Sequence, residues 1–285
     1  MLFYVKERKI MKLKKLIAIA LTVVAATAIL TGCGSQNTGT TQSQEKKEIT
    51  VGVTPGASEE IMDTVVKEAA KDGLTVHVKS FSDYVTPDQA LASGDIDLNA
   101  FQHGPFLDAF NAKNGTKLIS IGKTYLAPLG LYSHKYKSVS DIPDGAKIAI
   151  PNDPSNGGRA LILLAKQGWI KLDESKEATK VTVQDIKENP KHLDIIELEA
   201  AQLPRSLDDT DASVINAGYA ISAGLNSEKD AIAREDDTSP YVNIIAARED
   251  DKDNAAYQKF VKAFQSDAVK QFIQTNYSGE LVPEW

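Results

Sequence analysis

Two α/β lobes joined by two crossing strands are what this 285-residue chain predicts, on three observations. Strands and helices alternate from about residue 48, the same alternation restarts after Pro143, and a late strand and helical stripe beyond residue 240 return to the first set. Alternation of this kind gives parallel α/β layers.

Glu48-Ile49-Thr50-Val51-Gly52-Val53 alternates apolar with small or polar residues, the pattern of a strand. Ser58 to Ala70 follows as a helix, with Ser58 the expected N-cap and Glu59 and Glu60 in the first turn, where the helix dipole favours acids. Its apolar face is Ile61, Met62, Val65, Val66 and Ala69, and Gly73 is the expected stop. Leu74 to Val78 is a second strand, Pro87 to Ala92 a short helix, and Ile96 to Phe101 a third strand. A helix with Pro105 near its first position comes next.

The second set runs through a strand at Lys147 to Ile150, a helix at Ser155 to Gln167, a short strand at Val181-Thr182, and strands at Asp194 to Leu198 and Ser213 to Asn216. Tyr241 to Ala246 is the late strand. One helix is expected over Asn254 to Thr275, where Tyr257, Phe260, Val261, Phe264, Val269 and Phe272 make an ordinary core stripe. The first lobe is therefore expected over 48–127 with 240–285, and the second over 128–239. A ligand is expected in the cleft between them, at the carboxyl ends of the strands.

Ahead of the lobes, Lys12, Lys14 and Lys15 precede an apolar run from Leu16 to Leu30, and Leu30-Thr31-Gly32-Cys33 ends it. About fifteen residues are too few to span a ~30 Å hydrocarbon core, so residues 1–32 read as a cleaved lipoprotein signal and Cys33 as its lipidation site. Met11 is an alternative start to Met1, because Lys12 onward already makes a complete signal. Two or three acyl chains on one residue suffice for stable anchoring. Gly34 to Lys47 contains no apolar residue and completes, with Cys33, a flexible tether over 33–47. The expected location is the extracytoplasmic face of the cell membrane.

The formal charge is −7; residues 1–32 carry six cations against Glu7, so the mature chain would stand at −12. That balance argues against a nucleic-acid partner. With its single thiol lipidated, the protein has no disulfide and no Cys-based metal or redox centre. Nucleophile elbows and dinucleotide fingerprints are missing, so neither an enzyme nor a cofactor is expected.

Three strand exits carry the polar chemistry. Pro151-Asn152-Asp153-Pro154-Ser155-Asn156-Gly157-Gly158-Arg159 reads as an anion seat, with backbone N–H groups at a helix start and an Arg fork suited to a carboxylate. Asn99 to Phe106 gathers Phe101 and His103; His77, His134 and His192 supply no metal-ligand spacing, so His103 is expected to hydrogen-bond a ligand or the core. Val214-Ile215-Asn216-Ala217-Gly218-Tyr219 presents an amide able to donate and accept beside an aromatic ring.

At these segments the chain resembles the methionine-binding lipoproteins of bacterial ABC importers, the MetQ/NlpA family. The likeness runs from about Ile49 to Trp285 and is densest at Ser82-Asp83-Tyr84-Val85-Thr86-Pro87, Phe101-Gln102-His103 with Pro105, Ile150 to Leu161, Ile215-Asn216 with Tyr219-Ala220, and Ser239 to Asn243 through Arg248-Glu249-Asp250. The resemblance implies a type II periplasmic-binding-protein fold that closes on a free amino acid and docks on a membrane permease driven by an ATPase. It implies that Arg159 clamps the α-carboxylate, that Asn156 and Asn216 hydrogen-bond the zwitterion, and that Tyr84, Phe101 and His103 wall the side-chain pocket with Tyr219 nearby. Closure is expected to hinge near Thr124 to Leu131 and Ala220 to Tyr241. Gly104 and Ala217-Gly218 are smaller than the family's usual residues, which keeps D-methionine, methionine sulfoxide and methionine dipeptides beside L-methionine as ligands. The competing reading is a surface lipoprotein serving as adhesin or envelope scaffold with an idle pocket.

Overall fold

A computed structural model describes residues 46–237 and 239–285. The expected signal, Cys33 and all of the tether but Lys46 and Lys47 lie outside the described residues.

Two sheets organise the chain. The first half supplies β1 (Glu48–Val53), β2 (Thr75–Ser80), β3 (Leu98–Asn99) and β4 (Leu118–Leu126), with helices α1 (Ala57–Lys71), α2 (Thr86–Ser93) and α3 (Gly104–Asn114). Then come β5 (Gly130–Tyr132), β6 (Lys147–Pro151), α4 (Pro154–Lys166), β7 (Lys171–Leu172), β8 (Ile186–Glu188), β9 (Asp194–Leu198), α5 (Leu203–Ser206), β10 (Ala212–Ile215), α6 (Ala217–Ser222) and β11 (Ala231–Arg234). The chain ends with β12 (Val242–Arg248), α7 (Ala255–Phe264), α8 (Asp267–Asn276) and β13 (Val282–Pro283).

The six-stranded sheet has the order β13-β4-β12-β3-β1-β2 and the five-stranded sheet β11-β5-β10-β6-β9, while β7 and β8 form a separate pair. Within the first sheet β1 runs parallel to β2 and β3, with Val51 opposite Leu98, and β12 returns antiparallel between β3 and β4. In the second, β6 is parallel to β9 and β10, and β5 is antiparallel to β10. Each sheet has its own core. Ile49, Val51, Ile61, Val65, Phe260 and Phe264 are buried in the first, and Leu131, Ile148, Ile150, Leu161, Leu164 and Trp169 in the second. The sheets are joined by two crossings, one through 127–129 and one that begins at Glu235, and the two meet there: Glu235 N–H donates to the Leu129 carbonyl at 2.9 Å, and Leu129 N–H donates to Glu235 Oε2 at 2.9 Å.

Four sequence expectations need correction. Helix α1 is capped by Gly56, whose φ of +87° turns the chain in a conformation glycine adopts without strain, while Ser58 is buried in the first turn and pairs with the Tyr125 hydroxyl at 3.0 Å. The third strand is two residues long, because beyond Ala100, whose N–H still bonds the Gly52 carbonyl at 2.9 Å, the chain bends at Phe101 to form the cleft wall. Val181-Thr182 is no strand: it links two 3-10 turns, and Thr182 and Asp185 cap one another. The C-terminal stripe lies on two helices, α7 and α8, divided at Gln265-Ser266, where Ser266 caps the second. Hydrophobic spacing continues across such a break, so periodicity alone does not reveal it.

The lobes are closed on one another. His103 Nε2 meets Asn156 Oδ1 at 3.0 Å, the Tyr219 hydroxyl donates to the Ser82 carbonyl at 3.1 Å, and the Ser222 hydroxyl donates to the Pro55 carbonyl at 3.1 Å. Each bond runs from a segment of the first sheet to one of the second.

Candidate functional site

A cavity of about 40 Å³ lies between the lobes. The first lobe contributes Thr54, Ser58, Tyr84, Phe101, Gln102, His103, Phe106, Tyr125 and Asn243, and the second Asn156, Arg159, Asn216 and Gly218. The residues come from strand exits and helix starts because these are the places where backbone turns away from the sheet and leaves side chains facing the gap.

One wall is aromatic. The Tyr84 ring lies 5.7 Å from Phe101 and 6.0 Å from Phe106, and Phe101 and Phe106 meet edge to face at 6.1 Å. Tyr219 stacks behind Tyr84 at 4.8 Å, faces an outer groove and does not line the inner cavity, because its hydroxyl is committed to Ser82. Tyr219 thus stands near the pocket, behind its aromatic wall.

The opposite wall is polar and centred on Arg159, which is 2% exposed. Its fork does not point into the cavity. Nε donates to Glu235 Oε1 at 3.1 Å, and Nη2 donates to Glu235 Oε2 at 2.5 Å and to the Ala127 carbonyl at 3.2 Å. Nη1 donates to Asn156 Oδ1 at 3.2 Å, and the guanidinium stacks on Tyr241 with its carbon 4.5 Å from the ring centre. Of the five N–H donors of a guanidinium, these four bonds leave one on Nη1. The expected bidentate clamp on a ligand is therefore corrected: the bidentate partner is Glu235, and Arg159 reaches the cavity with a single N–H.

The expected anion seat at the start of α4 is also filled from within. Asp153 Oδ1 accepts from the Asn156 backbone N–H at 2.9 Å and from the Ser155 hydroxyl at 3.1 Å. The paired glycines serve packing instead. A Cβ on Gly157 would stand 2.9 Å from the Pro151 carbonyl oxygen, and one on Gly158 would stand 2.8 Å from that of Val181.

Asn156 ties these groups together. Its Oδ1 accepts from both Arg159 and His103, and its Nδ2 donates to the Asp153 carboxylate at 3.0 and 3.1 Å. Since Asn156 presents an oxygen, His103 carries its proton on Nε2, and its Nδ1 accepts from the Phe106 backbone N–H at 3.2 Å as the cap of α3. Burial, reinforced by the nearby Arg159 charge, pulls the His103 pKa down to about 3, so the ring is neutral. Among the described residues no cluster of His, Cys, Asp and Glu could hold a metal.

Asn216 differs from Asn156 in having a free atom. It is buried at the start of α6, and its Oδ1 has no hydrogen-bond partner. A buried acceptor without a donor carries a desolvation penalty of roughly 1–3 kcal/mol, which a ligand's N–H relieves. Gln102 Oε1 is the second such acceptor on the cavity wall.

Behind Gln102 is a carboxylate that sequence reasoning missed. Asp88 is fully buried, and its Oδ1 accepts from Gln102 Nε2 at 2.5 Å and from Asn99 Nδ2 at 2.8 Å. Burial pushes its pKa up to about 6, against the two amide hydrogen bonds, which lower it. Asn243, Ser58 and Tyr125 were missed as well, although they form one hydrogen-bonded group on the wall. Ser58 and Tyr125 were marked only by a first helical turn and a strand end, and Asn243 only by lying in a stretch of family likeness.

Residues 49–285 match the family model described as NlpA lipoprotein. Among relatives, the D-methionine-binding lipoprotein MetQ of Escherichia coli strain K12 is 46% identical over 260 residues, covering 90% of this chain and 93% of that one. The probable D-methionine-binding lipoprotein MetQ of Pasteurella multocida is 44% identical over 280 residues, covering 96% and 100%. A nutrient-binding protein from Burkholderia cenocepacia, solved bound to methionine, superposes with a TM-score of 0.81 at 52% identity, over 83% of this chain and all of that one. These likenesses agree with the two-lobed periplasmic-binding fold expected from sequence.

Proposed function

Since the chain belongs to the NlpA lipoprotein family, we propose that it captures methionine outside the cytoplasm and delivers it to the membrane permease of an ABC importer. The observation that carries this reading is the pairing of one Arg159 N–H with the orphan Asn216 Oδ1 on the polar wall, opposite the Tyr84, Phe101 and Phe106 rings. The carboxylate of an amino acid accepts from Arg159, and its ammonium donates to Asn216. The rings receive the side chain, and a polarizable thioether makes favourable contacts with ring edges without asking for a strong donor. The relatives named for D-methionine and the structure solved with methionine support the same ligand. L-methionine is the form we assign, and D-methionine is the alternative that the relatives' names raise.

In this reading the lobes are 48–127 with 240–285 and 128–239, and closure bends the crossings at 127–129 and 235–241. Ligand holds the closed state because only that state pairs it with both lobes. Cys33 carries the lipid anchor on the extracytoplasmic face, and the protein binds its ligand without transforming it.

The test is native mass spectrometry and thermal shift on the lipid-free form beginning at residue 34, before and after unfolding and refolding to strip ligand. L-methionine should raise the melting temperature strongly, because binding to the native state adds stability by mass action. D-methionine and methionine sulfoxide are the comparison ligands. No shift with any of them sinks the methionine reading and favours an adhesin or scaffold with an idle pocket.

A further inference from the structure

The geometry points to Glu235 as the residue that makes this site select a zwitterion over a plain carboxylate, acting through Arg159 as a positioning residue. The inference rests on the reading of the cavity as an amino-acid site.

Glu235 is buried on the second crossing and does not line the cavity. Both of its oxygens are committed, Oε1 to Arg159 Nε and Oε2 to Arg159 Nη2 and the Leu129 N–H. Two consequences follow for whatever enters the cavity. The first is geometric. By occupying the Nε and Nη2 edge, Glu235 turns the guanidinium so that a ligand meets one N–H of Nη1 rather than the two-pronged fork that binds carboxylates best.

The second consequence is one of charge. Arg159 is the sole ionised side chain on the cavity wall among the described residues, since His103 is held neutral. Glu235 balances it from behind, so the pair sums to zero. A zwitterion keeps that balance, whereas a bare carboxylate adds an uncompensated negative charge among aromatic rings and amides, a medium that penalises it heavily. The orphan Asn216 Oδ1 acts in the same direction, because it is relieved by an ammonium and left unpaired by a ligand without one. The outer groove behind Tyr84 is lined by three further carboxylates, Asp83, Asp153 and Glu199.

Removing the Glu235 charge should therefore invert part of this preference. Arg159 would be left with an unbalanced positive charge and a freed edge, and both favour an anion.

The experiment is calorimetry with L-methionine, which is zwitterionic, and 4-(methylthio)butanoate, which has the same thioether and carboxylate but no amino group. Wild type should prefer methionine by at least a hundredfold. In Glu235→Gln the ratio of the two affinities should fall tenfold or more, with methionine binding weakened and the desamino acid gaining on it. Glu235→Asp keeps the charge on a shorter arm, so it should lose affinity for both ligands while holding the ratio within about threefold of wild type. An unchanged ratio in Glu235→Gln, or a ratio in Glu235→Asp that collapses as far as the one expected for Gln, overturns the proposal. A wild type that binds neither compound overturns the amino-acid reading instead, and so the two failures are distinguishable. If Glu235→Gln does not fold, Glu235→Ala takes its place with the same expected fall in the ratio, and an unchanged ratio there overturns the proposal.

Discussion

Replacing Arg159 with methionine removes four hydrogen bonds, the stack on Tyr241 and the counter-charge of Glu235, and leaves the Glu235 carboxylate 8% exposed with only the Leu129 N–H as a donor. Breaking a buried ion pair from one side costs about 3–5 kcal/mol, because the remaining charge is desolvated without compensation. Against a typical total of about 5–15 kcal/mol the ligand-free chain should still fold, with its melting temperature lowered by roughly 6–20 °C at about 2–4 °C per kcal/mol. Glu235→Leu should cost a similar amount, since it strands Arg159. Combining the two places apolar groups of similar volume where the pair stood, an exchange that is often near neutral. The double variant is therefore expected within about 2 kcal/mol of wild type, giving a coupling energy of about 4 kcal/mol or more. Urea unfolding of the refolded, ligand-free proteins, followed by circular dichroism, measures all four corners of the cycle. Methionine binding should be lost in the double variant despite its recovered stability. A double variant as unstable as the sum of the singles would refute the claim that Arg159 and Glu235 are energetically a pair.

Three further predictions follow from the same geometry. Asn216→Ala removes a buried acceptor that has no partner, so the ligand-free protein should be unchanged or slightly more stable, while methionine affinity measured by calorimetry falls by about 1–3 kcal/mol, roughly 5- to 150-fold. Asp88 holds a proton between pH 3.8 and about 6 that the unfolded chain has released. Its contribution to stability is thus fully present below the lower value and is lost as pH rises through the upper one, on the order of 3 kcal/mol in all. The stability of Asp88→Asn relative to wild type should accordingly improve from pH 4 to pH 7, and a constant difference across that range would remove Asp88 as the titrating group. Among the glycines, Gly158→Ala should destabilise by about 1–3 kcal/mol in thermal melts, because its Cβ stands 2.8 Å from a backbone oxygen. Gly218→Ala should be tolerated, since its Cβ meets nothing nearer than the Tyr84 hydroxyl at 4.0 Å.

Much of the site was legible because it lies at strand exits, which a sequence marks with an abrupt change from apolar residues to Pro, Gly and Asn. Arg159, Asn156, Asn216, His103 and Phe101 were picked out this way and Tyr84 by the family resemblance, and the fold brings all six onto one cavity. Glu235 was not legible. It stands beside Asp236 and Asp237 in what reads as a run of solvated loop charge, and its partner lies 76 residues away in sequence. Asp88 reads as an ordinary acid in the first turn of a short helix, and only the packing of α2 against β3 turns it toward Asn99 and Gln102.

By itself the sequence determined where β1, β2, β6, β9, β10 and β12 lie, which helix faces are buried and where polar residues leave the sheets. All of these depend on neighbours within one or two turns of chain, and hydrophobic periodicity records them directly. Tertiary structure alone decided which polar atoms stay free for a ligand. Arg159 and Asn156 are nearly saturated by Glu235, Ala127, His103 and Asp153, whereas the Asn216 acceptor has no partner. Hydrogen-bond capacity is spent on whatever group comes within about 3 Å, and across a cleft closed by two crossings those groups come from parts of the chain that local sequence does not connect.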